Sequence, residues 1–293
     1  VDSTLVSSPV AEQVNFYERF SCRDIGLNYY KFRAEDQYGF WNETPVYNFT
    51  LEEDDVRVSV DSESSTSVKR AGTDKATLRF KIYDTDYGIY PSGVNGTVWI
   101  TSDFQNFTVR LKCVSDLGNC TVYFDPDCSV IAGEQKWKGG VTDYCYKDVN
   151  TSETTLTVIG QLNVTLVKPE QGVAINRNQN VSLKALVKDE CFVNITDATV
   201  EWFNESWDKI AEGYETYWVV PSTYEVGSEI IRVMASRTYY DYDLDSVTVY
   251  VFGWSKIESI EPVNGSVFLA GTSVNVRCRV VDADTGKPIE GYE

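Results

Sequence analysis

Three kinds of side chain in this sequence could do chemistry: aspartates in alternation, asparagines in N-x-Ser/Thr triplets, and seven cysteines. The aspartates fall at Asp84 and Asp86, at Asp241, Asp243 and Asp245, and at Asp282 and Asp284. Alternate residues of an extended chain point to one side, so each group gathers carboxylate oxygens, the ligands calcium prefers. The rival reading of Asp84–Gly88 and Asp282–Gly286 is a polar turn with Asx hydrogen bonds and a closing glycine. For Asp241–Asp245 the rival is an edge strand guarded by charge. Structural calcium is therefore the one cofactor expectation. Catalytic chemistry is poorly supplied, because the chain has no histidine. That removes Ser-His-Asp and Cys-His nucleophiles, His-ligated metal and the near-neutral proton shuttle. Carboxylate pairs of the glycosidase kind occur by coincidence among 44 acids, and no spacing singles one out. The chain reads as no enzyme.

The asparagines say where the chain lives. Eleven of 16 lie in sequons: Asn42, Asn48, Asn95, Asn106, Asn119, Asn150, Asn163, Asn180, Asn194, Asn204 and Asn264. With 49 Ser and Thr in the chain, composition alone puts about three there. Glycans need exposed attachment points, and these fall in every segment. The expectation is an extracellular, heavily N-glycosylated chain.

The cysteines agree with an oxidising compartment. Cys113 and Cys120 flank the turn Asp116–Asn119 and suit a hairpin-closing bridge. Cys128 and Cys145 bracket a Gly-rich loop and form the next expected pair, which leaves Cys22, Cys191 and Cys278. No C-x-x-C occurs, so neither a zinc ribbon nor a thioredoxin-like site is expected. A formal charge of −18 supplies no basic stripe for nucleic acid or an anionic membrane. No apolar run spans a bilayer; Val247–Trp254 is strand-sized. With no initiating Met and no signal-peptide pattern, the sequence reads as a mature or excised piece of something longer.

The elements that carry these residues are strands. Short alternating runs such as Ala76-Leu78-Phe80-Ile82, Val181-Leu183-Ala185-Val187 and Val247-Val249-Val251 are broken by Gly, Asn, Asp and Pro every eight to twelve residues or so. The 19 Tyr and 7 Trp have three readings: sugar-stacking platforms, strand core (Trp137, Trp202 and Trp218 by alternation), or subunit contacts at Val98–Ile100 and Tyr239–Tyr242. The chain also repeats itself. Val164–Asp189 aligns without a gap on Ile257–Asp282 at an offset of 93, matching Pro169 with Pro262, Gly172 with Gly265, Ala185 with Cys278 and Asp189 with Asp282. A third copy runs from Ala71-Gly-Thr73 to Asp84. Gly26–Ala34 aligns on Gly227–Ala235 at an offset of 201.

Together the offsets place Glu293 opposite Val200 and Val1 opposite Trp202, on one strand of the complete repeat. Joined as GYE–VDSTLV, the ends read as one continuous strand. Two explanations stand: a cut through a longer tandem array, or chains meeting head to tail so that each completes its neighbour. Either way a half-sandwich leaves an open edge and an apolar face that need a partner. Cys22 and Cys278 fall in the same reconstituted domain, so a Cys22–Cys278 bridge, between chains if the ends belong to different copies, is expected; Cys191 stays unassigned.

Pro262-Val-Asn-Gly-Ser, then Ala270-Gly-Thr272, an alternating strand and Val281-Asp-Ala-Asp-Thr-Gly-Lys-Pro-Ile-Glu-Gly-Tyr292, resemble the opening of immunoglobulin-like repeats in archaeal surface proteins. Gly227–Ala235 with Val247–Val251 resembles their closing strands. Asp116-Leu-Gly-Asn119, Phe124-Asp-Pro126 and Gly133-Glu-Gln-Lys-Trp137 are similar to the transthyretin-like variants. Cys191 and the irregular stretch 125–150 depart from the pattern, and no catalytic residue carries over. The resemblance implies a surface-layer, pilus-like or stalk protein.

The expected fold is all-β, a tandem array of immunoglobulin-like sandwiches. Residues 1–53 form the closing half of one domain, 54–161 and 162–253 complete domains, and 257–293 an opening half completed by 1–53 of a neighbouring copy or chain. The expected function is a building block of a glycosylated extracellular filament or surface layer. Its partners are copies of itself and N-linked glycans. The alternatives are a stalk, adhesin or carbohydrate-binding segment, and an accessory segment of a cell-surface hydrolase.

Overall fold

The structure is a computed structural model that describes residues 14–290; the junction GYE–VDSTLV lies outside the described residues. Among them the chain forms 21 strands and one 3-10 turn, Cys22–Asp24. No helix there is long and apolar enough to cross a membrane. The chain divides into two compact units. One holds residues up to Thr66, Lys75–Asp125 and Glu134–Leu156; the other holds Ser67–Asp74, Pro126–Gly133 and everything from Thr157.

In the first unit, Val56–Val60, Ala76–Asp84 and Asn119–Phe124 form an antiparallel sheet with the long strand in the middle. A second sheet is built on Asn95–Thr101, flanked by Phe107–Val114 and Gly133–Val141. Strict alternation sends Leu78, Phe80 and Ile82 of one sheet, and Val98, Ile100 and Trp137 of the other, into a core with no solvent exposure. The two sheets meet closely where glycine permits it: a Cβ on Gly96 would stand 2.8 Å from the Phe80 ring. The Cys113–Cys120 disulfide ties Phe107–Val114 to Asn119–Phe124.

The second unit holds a complete sandwich. Thr154–Lys168 pairs with Asn180–Asp189, which pairs with Glu215–Val219. The opposite sheet runs Lys209–Glu212, Thr199–Phe203, Gly227–Arg237, Tyr240–Phe252, and Ala174–Asn176 lies parallel on its last strand. Its core gathers Val181, Leu183, Ala185 and Val187 against Trp202, Ile231, Val233 and Val249. The Trp202 indole N–H donates to Gly213 O at 2.9 Å, so this largest core side chain leaves no polar atom unpaired. Trp137 and Trp218 are buried as well, which makes all three strand core. This strand order, two antiparallel sheets with an early strand returning beside the last, is the immunoglobulin-like sandwich, and the fold class is all-β.

Candidate assembly faces

Beyond the complete sandwich the chain makes one more hairpin, Ser255–Glu261 with Arg277–Asp282. It repeats the opening hairpin of the sandwich residue for residue. Leu162 pairs with Asp189 and Val164 with Val187; 93 residues on, Ser255 pairs with Asp282 and Ile257 with Val280. Even the irregularity recurs, between Leu166 and Lys168 in one copy and between Ser259 and Glu261 in the other. The bonds Lys168–Pro169 and Glu261–Pro262 are both cis, and Gly172 and Gly265 both turn the chain at positive φ.

The N-terminal region repeats the closing hairpin. Gly26 pairs with Leu51 as Gly227 pairs with Val251, and both glycines take the positive φ that other residues avoid. Gly26–Tyr30 pairs with Tyr47–Leu51, and a short second hairpin joins Arg33–Glu35 to Trp41–Glu43. The described residues thus include an opening hairpin, Ser255–Glu261 with Arg277–Asp282, and a closing hairpin, Gly26–Tyr30 with Tyr47–Leu51, each a two-stranded sheet among those residues.

Burial measures what is missing. Leu183 is fully buried, whereas its counterpart Val276 is 78% exposed. Val164 is buried and Ile257 is 69% exposed; Ala185 is buried and Cys278 is an exposed free thiol. At the other end Ile231 and Val233 are fully buried, while their counterparts Tyr30 and Phe32 are almost half exposed. Tyr30 instead meets Phe32 edge to face at 5.7 Å and Tyr47 at a tilt at 5.5 Å, and Phe49 packs edge to face on Phe20 at 5.2 Å. These are core residues by position and surface residues by exposure.

The sequons avoid both faces. Asn42, Asn48 and Asn264 are exposed and stand off the positions whose counterparts are buried, so sugar there leaves the apolar faces clear. Asn95, Asn106, Asn150, Asn163, Asn180 and Asn194 are exposed too, and Asn119 is half-buried. Asn204 differs: it is buried, its side-chain amide donates to Asp208 at 3.0 Å, and its Oδ1 accepts the Asp208 N–H at 2.7 Å. This turn sets Asn204 apart from the other sequons by its burial. Peptide mapping of the native protein is expected to find sugar on the exposed sequons and bare Asn204; a glycan on Asn204 would contradict the turn.

The aspartates are met by protein donors. Asp243 and Asp245 accept the N–H groups of Val164 and Leu166 at 2.7 and 2.8 Å, closing the gap between the two edge strands, and Asp241 pairs with Lys69 at 2.8 Å. Asp84 caps the N–H groups of Asp86 and Tyr87, and Asp86 accepts from Asp55 N. Asp282 caps Asp284 and Thr285 and binds Arg177, with Asp284 4.0 Å from the same guanidinium. The Thr285 N–H above all, aided by Arg177, holds the Asp282 carboxyl below its usual range against the opposing effect of burial. Calcium takes six to eight oxygens, and no three of these carboxylates converge. Among the described residues, three such groups converge only at Asp189, Glu190 and Cys191. There Cys191 is in a disulfide and a guanidinium takes the carboxylates.

That guanidinium is Arg70. It donates to Glu190 at 2.7 Å, Asp189 at 2.8 Å and Val130 O at 2.9 Å, with its side chain only 4% exposed. Arg70 follows the parallel strand Ser67–Lys69, and Arg177 follows Ala174–Asn176. Each arginine clasps the aspartate that ends the next opening hairpin, Asp189 or Asp282. The same arginine–aspartate clasp therefore occurs twice in the chain.

Two disulfide expectations are corrected. Cys128 bonds Cys191 and not Cys145, because the segment Pro126–Gly133 leaves the first unit and is held in the second. Cys22 bonds Cys145 and not Cys278, because Asp54, just beyond the N-terminal hairpins, is hydrogen-bonded to Cys145 O and brings that loop against the 3-10 turn carrying Cys22. Cys278 is left free.

No family model matches the sequence, and no curated protein does. Among solved structures the chain is similar to a tetra-tandem repeat in the extending region of a large adhesion protein, at 13% identity and a TM-score of 0.43, over 90% of this chain and 74% of that one. It is similar to Sidekick-1 immunoglobulin domains 1–5, at 13% and 0.42, over 90% and 54%. A third is Drosophila OTK extracellular domains 3–5, at 12% and 0.40, over 80% and 73%. The class is defined by the strand order, independently of these likenesses: all-β, tandem immunoglobulin-like sandwiches.

Proposed function

We propose that the chain is a structural building block of an extracellular, N-glycosylated filament or surface layer, of the kind its sequence resembles in archaeal surface proteins. Copies join head to tail by sharing a sandwich. The opening half, 257–293, of one copy packs on the closing half, 1–53, of the next. The observation that carries this is the register identity of both terminal hairpins with the two halves of the complete sandwich, combined with exposure of their core positions. Burying one such aliphatic or aromatic side chain contributes roughly 1.5–3 kcal/mol, so closing Ile257 and Val276 of one copy on Tyr30 and Phe32 of the next drives association.

The mechanism is mechanical. Load passes from sandwich to sandwich through paired strands, the arginine clasps and the disulfides, while sugar and negative charge keep assembled material soluble and apart. Three disulfides and surface sequons support an oxidising, extracellular setting. The reading gives the chain no catalytic step. Electron microscopy of native, unreduced material tests it. Fibres or sheets with one repeat per copy are the expected result. Separate flexible particles would overturn assembly and favour a stalk or adhesin segment.

A further inference from the structure

In the complete sandwich, Ala174–Asn176 lies parallel on the last strand, with Ile175 opposite Val251. Ser67–Lys69 does the same with Thr157–Ile159, placing Val68 opposite Val158. All four central residues are buried. In both cases the next residue, an arginine, donates its backbone N–H to that last strand: Arg70 to Ile159 and Arg177 to Phe252.

The equivalent segment, between the two strands of the C-terminal hairpin, is Val267-Phe268-Leu269. The turn that leads into it is already formed: Ser266 N–H donates to Val263 O as Val173 N–H donates to Glu170 O, 93 residues earlier. Yet these three residues form no strand, and Val267 is 93% exposed. Among the described residues no strand pairs with them. The N-terminal closing strand Tyr47–Leu51 offers a partner, since Leu51 stands where Val251 stands, and both pair with the opening glycine of their hairpin.

We infer that residues 267–269 of one copy add as a parallel strand to residues 50–52 of the next copy, with Phe268 opposite Leu51 and Leu269 opposite Glu52. The register follows from shifting Ala174–Asn176 by 93 residues and Tyr250–Phe252 by the 200 that separates Val251 from Leu51. Phe268 and Leu51 form the third apolar central pair of the series, after Val68 with Val158 and Ile175 with Val251. Strand addition also satisfies backbone groups on the exposed edge of Tyr47–Leu51, which is otherwise open to indiscriminate pairing. The partner is a second copy of this chain. The inference rests on the shared-sandwich reading and specifies its strand and register.

Engineered cysteines test it. In a Cys278→Ala background, Leu269→Cys with Glu52→Cys places two thiols directly opposite, within the Cα separation a disulfide spans, and leaves the Asn48 sequon intact. Assembled material is expected to convert under mild oxidation to a reducible ladder, with a disulfide-linked peptide pair found by mass spectrometry. Val267→Cys with Glu52→Cys, two residues out of register, is expected to stay uncoupled. Assemblies that remain intact by microscopy without Leu269–Glu52 coupling, or that couple the shifted pair instead, overturn the strand while leaving the shared sandwich standing. No assembly of the unsubstituted protein removes both.

Discussion

Val276→Asp is expected to abolish assembly while leaving the single copy folded. Val276 stands where the sandwich has Leu183, which is fully buried, but in one copy it is largely exposed. The carboxylate thus costs little until the halves close, and surface changes of this kind fall within about 0.5 kcal/mol. On closure it enters an apolar core without a partner, at a cost of several kcal/mol, and about 4 kcal/mol already weakens association roughly a thousandfold. Leu183→Asp is the contrast, since it places the same group in a core the single copy already has, and the copy itself is expected to unfold. Sedimentation reads assembly and a thermal melt reads folding. Assembly surviving Val276→Asp would mean that this face stays in solvent.

Arg70→Ala is expected to destabilise the second unit by about 3–5 kcal/mol, because it leaves buried carboxylates without their counter-ion. Asp189 is buried, and both Asp189 and Glu190 depend on this guanidinium. The pH dependence carries the proof. Burial pushes the Glu190 carboxyl up, but the hydrogen bonds from Arg70 and Gln161 N–H outweigh it and hold the group below its usual range. Its contribution is therefore present above the ordinary carboxylate range and lost as pH falls through the lowered value. Without Arg70, burial dominates and the carboxyl rises, so protonation relieves the variant as pH falls. The gap between the two proteins should be widest at neutral pH and close on acidification. Urea unfolding at pH 7 and pH 4 would show it; a gap independent of pH would mean that Arg70 matters only as packing.

Much of the fold is legible because period and repeat are local properties of sequence. The alternation Ala76, Leu78, Phe80, Ile82 becomes four fully buried side chains on one strand, and the offset of 93 becomes an identical pairing register. What resists reading is set by long-range placement. Cys128 meets Cys191 because a short excursion crosses between units, which no spacing rule anticipates. Asp243 and Asp245 look like a cation site by charge alone, yet they answer two backbone donors 79 residues away on a neighbouring edge. Asn204 carries an ordinary sequon and is spent on its own turn. The arginine clasps were not legible in the sequence, because the short parallel strand that each arginine follows shows itself only through its partner.

Cys278 offers the most direct measurement. It is an exposed thiol in the single copy and stands where the complete sandwich buries Ala185. Labelling with a thiol reagent, in assembled and in dissociated material, reads whether the two halves close over it. Rapid modification of the dissociated chain and protection in the assembly are expected, with rapid modification returning when Val276→Asp is introduced. Equal reactivity in both states would contradict the shared sandwich.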